Sequence, residues 1–144
     1  MEILKHTHSG LRWIFLLIII FAIVNAFRKW KSGEKYSTKD KLIGILAISL
    51  THTQALLGFI LYFGKGFYKG FSDMGDRVAR FYAVEHLIGM LLAIVLITIG
   101  HSKVKKAIKD KAKFRKTFVW FSIALLIILI SIPWPFIITG AGLY

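Results

Sequence analysis

Residues Leu42–Phe63 read LIGILAISLTHTQALLGFILYF, 22 positions without a formal charge. A helix rises about 1.5 Å per residue, so ~20 apolar residues cross the ~30 Å hydrocarbon core of a bilayer. A backbone immersed in lipid must satisfy its own hydrogen bonds, and over this length only a helix does so. Three similar runs accompany it: 7–27, with its apolar heart at Trp13–Val24; 80–100, interrupted by Glu85 and His86; and 117–139. The expected fold is all-α, an integral membrane four-helix bundle built as a single transmembrane domain over 1–144. Short loops suit an up-down arrangement of this kind.

The rest of the composition agrees. Hydrophobic residues make up 56% of the 144-residue chain, and the mean hydropathy is +0.65. Without a cysteine, the chain has no disulfide, thiolate metal site, iron–sulfur cluster or covalently attached c-type haem. A net charge of +13 could point to nucleic acid, but the charges fall in the gaps between apolar runs. That is the pattern of the positive-inside rule, and no nucleic-acid partner is expected.

The same rule gives an orientation. The connection Arg28–Lys41 carries six basic residues against Glu34 and Asp40, and Ser102–Lys116 carries eight against Asp110. The connection Gly64–Ala79 has only Lys65, Lys69 and Arg77 against Asp73 and Asp76. The two basic loops are expected on the cytoplasmic side of a multi-pass inner (cytoplasmic) membrane protein, with both termini on the outer, periplasmic side. Trp30 and Trp120 at one level, and Trp134, Tyr62 and Tyr82 at the other, suit interfacial belts, whereas Trp13 lies deeper. In the first run the denser positive charge follows the apolar core, so it reads as a retained helix and not as a cleaved signal.

Ionisable residues within a bilayer are costly and mark candidate sites. Here they are His8, Arg12, His52, Glu85 and His86, with Gln54 as a neutral polar group. His52 lies roughly 16 Å from the outer end of its run and His86 roughly 9 Å, so both belong to the outer half. Arg12 is one turn below His8 on the same face. Ala83, Gly89 and Ala93 line the face of His86, and Ser49 and Ala55 that of His52. Small neighbours leave room for a flat macrocycle, and two histidines at matching depth can complete the axial ligation of haem b. The site expected is therefore a b haem between the second and third helices near the outer face, with His52 and His86 as axial ligands and His8 as the alternate. Gln54 or Glu85 would accept the second imidazole N–H, and Arg12 would pair with the haem propionates or with Glu85. Competing with this is a purely structural reading, in which small residues and histidines serve helix packing. His6 and His101 are read as idle, His101 as a solvated end residue, and the fourth helix as a structural wall.

The segments His6-Thr-His-Ser-Gly-Leu-Arg-Trp13, Thr51–Phe63, Val84-Glu-His-Leu-Ile-Gly-Met90 and Ile94–Gly100, with Ile132-Pro-Trp-Pro-Phe136, resemble small bacterial four-helix membrane proteins called cytochrome B. The resemblance spans essentially the whole chain. It implies a membrane-bound b haem, and the family's histidines map onto His8, His52 and His86. Members carry a proline after the Glu-His pair, where this chain has Leu87.

The function expected is electron transfer, as a small cytochrome linked to quinone or as a subunit of a larger respiratory complex, with the lipid bilayer as constant partner. An independent enzyme is not expected, and an oligomer is compatible with the sequence. The alternatives are a transition-metal-binding protein using His8, His52, His86 and Glu85, and a non-catalytic subunit or assembly factor. An enzyme acting on a tetrapyrrole is a fourth option. A metal transporter should carry polar groups toward the cytoplasm below His52, and almost none are present.

Overall fold

The computed structural model describes residues 1–136 and 138. They form four long helices: α1 (Glu2–Ser32), α2 (Thr38–Gly64), α3 (Arg77–Lys106) and α4 (Asp110–Ser131). Each is long and apolar enough to cross a membrane. A 3-10 segment, Phe67–Ser72, lies between α2 and α3. No strand occurs among the described residues. Each helix packs against its neighbours in sequence, and α1 against α4 closes the ring. The result is an up-down square in which α1 and α3 are diagonal, as are α2 and α4.

The helices outrun the hydropathic segments at their charged ends. Lysine and arginine are good helix formers, so charge marks the edge of the apolar run without stopping the helix. The α1 C-terminus is closed by Gly33 at φ 72°, the left-handed position that a glycine adopts without strain. The start of α2 is fixed by a reciprocal cap between Ser37 and Asp40. The fourth helix corrects the expected 117–139: it begins at Asp110 and ends at Ser131. Ile132 precedes Pro133, and the residue before a proline is driven out of helical geometry. Thr139 lies outside the described residues.

One end of the square holds the short connections 33–37 and 107–109 with their basic flanks. The opposite end holds the N-terminus, the 65–76 connection and residues 132–136. Lys65 and Glu2 pair there at 2.6 Å, and Trp13 meets Trp134 at 6.2 Å. The core runs down the middle of the bundle, through Phe15, Ile19, Ala47, Ile97, Phe121 and Ile128. Two glycines of α3 let α4 approach closely. A Cβ at Gly100 would press on Trp120, and one at Gly89 would overlap the Ser131 side chain.

Candidate functional site

Between α2 and α3, toward the N-terminal end, the bundle holds a partly open cavity of about 380 Å³. That size falls in the range of small-molecule and cofactor sites, ~300–1,000 Å³. Its wall is mostly apolar and draws on all four helices, with Phe15, Leu61, Met90, Ile94 and Ile128 among its residues. Its polar groups are few: His8, Ser9 and Arg12 from α1, Thr51, Gln54 and Tyr62 from α2, Tyr82 and His86 from α3, and Lys5 and Lys65 near the outer end.

His86 is oriented by the broken end of α4. Continuing that helix would require residue 135 to donate to the Ser131 carbonyl and residue 133 to donate to that of Leu129. Both are prolines and have no N–H. The side chains of other residues satisfy these carbonyls instead. Trp134 Nε1 donates to Leu129 O at 2.8 Å, and His86 Nδ1 donates to Ser131 O at 2.7 Å. A carbonyl can only accept, so the proton sits on Nδ1 and the lone pair on Nε2. An imidazole held by a backbone carbonyl in this way is the usual arrangement of a metal-ligating histidine.

Immediately before His86 the helix makes a π-helical turn, Phe81–Glu85, in which the His86 N–H reaches back to Phe81 O. Tyr62 Oη donates to Ala83 O within this turn at 3.0 Å. The inserted residue changes the phase of α3. Phe81, five residues back, thereby stands against His86 with rings 6.1 Å apart, and Tyr82, one turn back, shares the cavity with His86, their rings 6.4 Å apart. Such turns recur at functional sites.

His8 stands over Gly58 of α2, where a Cβ would come 3.4 Å from the imidazole Cε1. Among the described residues, His8 Nδ1 is buried without a hydrogen-bond partner, and so is Gln54 Oε1. Gln54 Nε2 donates to the His8 backbone carbonyl at 3.0 Å, which ties α2 to this part of α1. Arg12 joins the same wall, one turn further along, its guanidinium 5.3 Å from the Trp13 ring.

Two expected site residues are placed elsewhere, and the pairing of His52 with His86 across one slot is corrected. His52 is exposed on the outward face of α2, with Nδ1 donating to its own helix at Ile48 O, 2.8 Å. Residues two apart on a helix differ by about 200°, so Gln54 can face the cavity only if His52 does not. Glu85 is also exposed and pairs with Arg80 Nε at 2.9 Å, outside the cavity wall. The small residues near His86 have a different use from the one expected. Ala93 lines the cavity, but Gly89 accommodates Ser131 and so serves contact with α4. Among the described residues no three His, Cys, Asp or Glu side chains converge as a metal-binding group.

The sequence reading missed Tyr62, Tyr82, Lys5 and Lys65 as cavity residues; both tyrosines carried interfacial signals that masked an inward role. It also missed a polar cluster at the basic end. Asp40, 6% exposed, accepts from Asn25 Nδ2 at 2.8 Å, Lys29 Nζ at 3.0 Å, and Ser37 N and Oγ at 2.9 and 2.7 Å. The spacing Ser37-Thr-Lys-Asp40 was its legible sign. Nearby, burial and the Asp40 carboxylate push the Tyr36 phenol above its ordinary pKa. His101, read as a solvated end residue, is half-buried against Gly44. The cavity there holds only about 20 Å³, room for a single water.

No protein-family model, curated protein or solved structure matches this chain.

Proposed function

We propose that the chain is a b-type cytochrome of the inner (cytoplasmic) membrane. In this reading both termini and the cavity end face outward. It carries electrons as a small quinone-linked protein or as the haem subunit of a larger respiratory complex. His8 and His86 would hold the iron, in place of His52 and His86. The observation that carries this is the meeting, in one apolar cavity, of a histidine whose Nδ1 has no partner among the described residues and a histidine with Nε2 left open.

The residues fit such a group on three counts. His86 is locked in the tautomer that presents a lone pair. His8 packs directly on Gly58, whose missing side chain admits the imidazole to the cavity wall. Arg12 and Lys5 supply positive charge around the cavity for the two carboxylates that such a cofactor carries, with Lys65 beside them already paired to Glu2. Bound there, the haem would supply one-electron chemistry at its iron, tuned by ligand basicity and burial. The apolar wall would exclude water and lower the local dielectric. The transition-metal alternative is weaker, because Glu85 and His52 lie away from the cavity.

The test is the absorbance spectrum of protein purified after expression with ample haem. A Soret band is expected. Replacing His8 or His86 by alanine should abolish it or convert it to a five-coordinate spectrum, and His52→Ala should leave it unchanged. A colourless wild-type protein would falsify the reading and leave the structural-subunit alternative.

A further inference from the structure

The outward face of α2 is unusual for a helix in lipid. Only 11% of its most apolar window is buried inside the bundle, against 22–28% for the other three helices. That exposed face is polar at its centre: Ser49, His52 and Thr53 all point away from the bundle. Thr53 Oγ1 donates to Ser49 O at 3.0 Å and His52 Nδ1 to Ile48 O at 2.8 Å, which leaves the Ser49 hydroxyl and His52 Nε2 as the polar groups for which hydrocarbon offers no partner. Their surroundings form a regular seam. Leu42, Leu46, Ser49, Thr53, Leu56 and Ile60 are all exposed, spaced alternately by four and three residues. This is the 3.5-residue period of helices that pair in a left-handed crossing, with the smallest side chains at mid-seam, where two backbones can come closest.

The hydrogen-bonding groups identify the occupant. His52 donates Nδ1–H to Ile48 O, so its Nε2 is an acceptor turned outward. That bond also draws the ring one turn toward the N-terminus, to the level of Ser49. The Ser49 hydroxyl is a donor. Donor and acceptor thus stand at one height on one face, and two chains inserted with the same orientation would present them to each other twice.

We infer that α2 is the contact surface for a second copy of this chain. The copies lie parallel about a two-fold axis along the membrane normal, and His52 of each accepts from the Ser49 hydroxyl of the other. The symmetry makes the contact self-complementary, and the axis closes the assembly at two chains. His52, which has no place at the cavity, acquires its role here.

The absence of cysteine from the chain makes the test clean, since one introduced thiol reports one position. Disulfide formation needs Cα atoms within about 7 Å. In native membranes under mild oxidant, Leu46→Cys and Leu56→Cys are each expected to yield covalent dimers. Ile130→Cys, on the exposed face of α4, is expected to stay monomeric. Ser49→Ala combined with His52→Leu keeps an apolar seam but removes both donor and acceptor. It should weaken self-association on the order of tenfold, read by energy transfer between labelled chains in vesicles, with far-UV helicity unchanged. The proposal is overturned if the seam cysteines remain monomeric, if Ile130→Cys cross-links as readily, if the seam cysteines capture a different protein, or if the double variant associates as tightly as the parent.

Discussion

The nitrogen that His86 turns to the cavity is set by two prolines that hold no hydrogen bond to it. Pro133 and Pro135 remove the donors that would occupy the last carbonyls of α4. Replacing both by alanine should let that helix continue and take the Ser131 carbonyl from the imidazole. Loss of such a supporting hydrogen bond commonly weakens metal affinity about 10–100-fold, so a haem titration should show that loss with the spans intact. Gly89→Ala tests a different contact, because its methyl would overlap the Ser131 side chain. Overpacking of this kind costs about 1–3 kcal/mol, measurable in a detergent unfolding titration. Gly10→Ala, with open space around it, should be neutral or slightly stabilising. At this scale the sequence was partly legible. The intramembrane polar residues were all visible, and depth followed from counting. Rotation about the helix axis was available too, since His52 and Gln54 cannot face the same way. The tautomer of His86 was not legible, because it depends on a carbonyl 45 residues away.

The π-helical turn Phe81–Glu85 shows why a regular helical wheel misleads around His86. Counting back by threes and fours places Ala83 and Tyr82 beside the histidine and Phe81 away from it, whereas the extra residue brings the Phe81 ring to 6.1 Å from His86. Deleting Val84 should convert the turn to regular α-helix and rotate everything before it by about 100° relative to His86. Helical content by circular dichroism should hold while cofactor binding falls. At the other end, Asp40 clamps the α1–α2 connection through Asn25, Lys29 and Ser37. Asp40→Ala should cost about 2 kcal/mol, as hydrogen bonds to a buried charge are worth ~1.5–3 kcal/mol. The defect should appear in unfolding titrations and leave the cavity unaffected. The number of helices was legible because hydrocarbon thickness imposes a length. Their ends were less so, because caps and prolines stop a helix, and hydropathy does not register them.

Across the whole molecule, the charge asymmetry sets the expected insertion. Reporter domains fused within 33–37 or 107–109 should be active on the cytoplasmic side, and one fused before Met1 on the opposite side. A bound cofactor should also raise the unfolding midpoint, by about 2.7 kcal/mol of added stability at a hundredfold excess over its Kd. The square arrangement itself could be anticipated from short loops, and a space between α2 and α3 was expected from their small residues, but its extension to walls from all four helices was not legible. It reflects how much side-chain volume each pair of faces supplies, which spacing alone does not reveal. One consequence concerns biosynthesis. The two cavity histidines come from diagonal helices, 78 positions apart in the chain. A ribosome delivers the first imidazole to the bilayer long before the second, so no complete socket exists until the third span has inserted. Loading would then wait on near-complete translation, and a prosthetic group seated there would brace opposite corners of the square that otherwise barely meet.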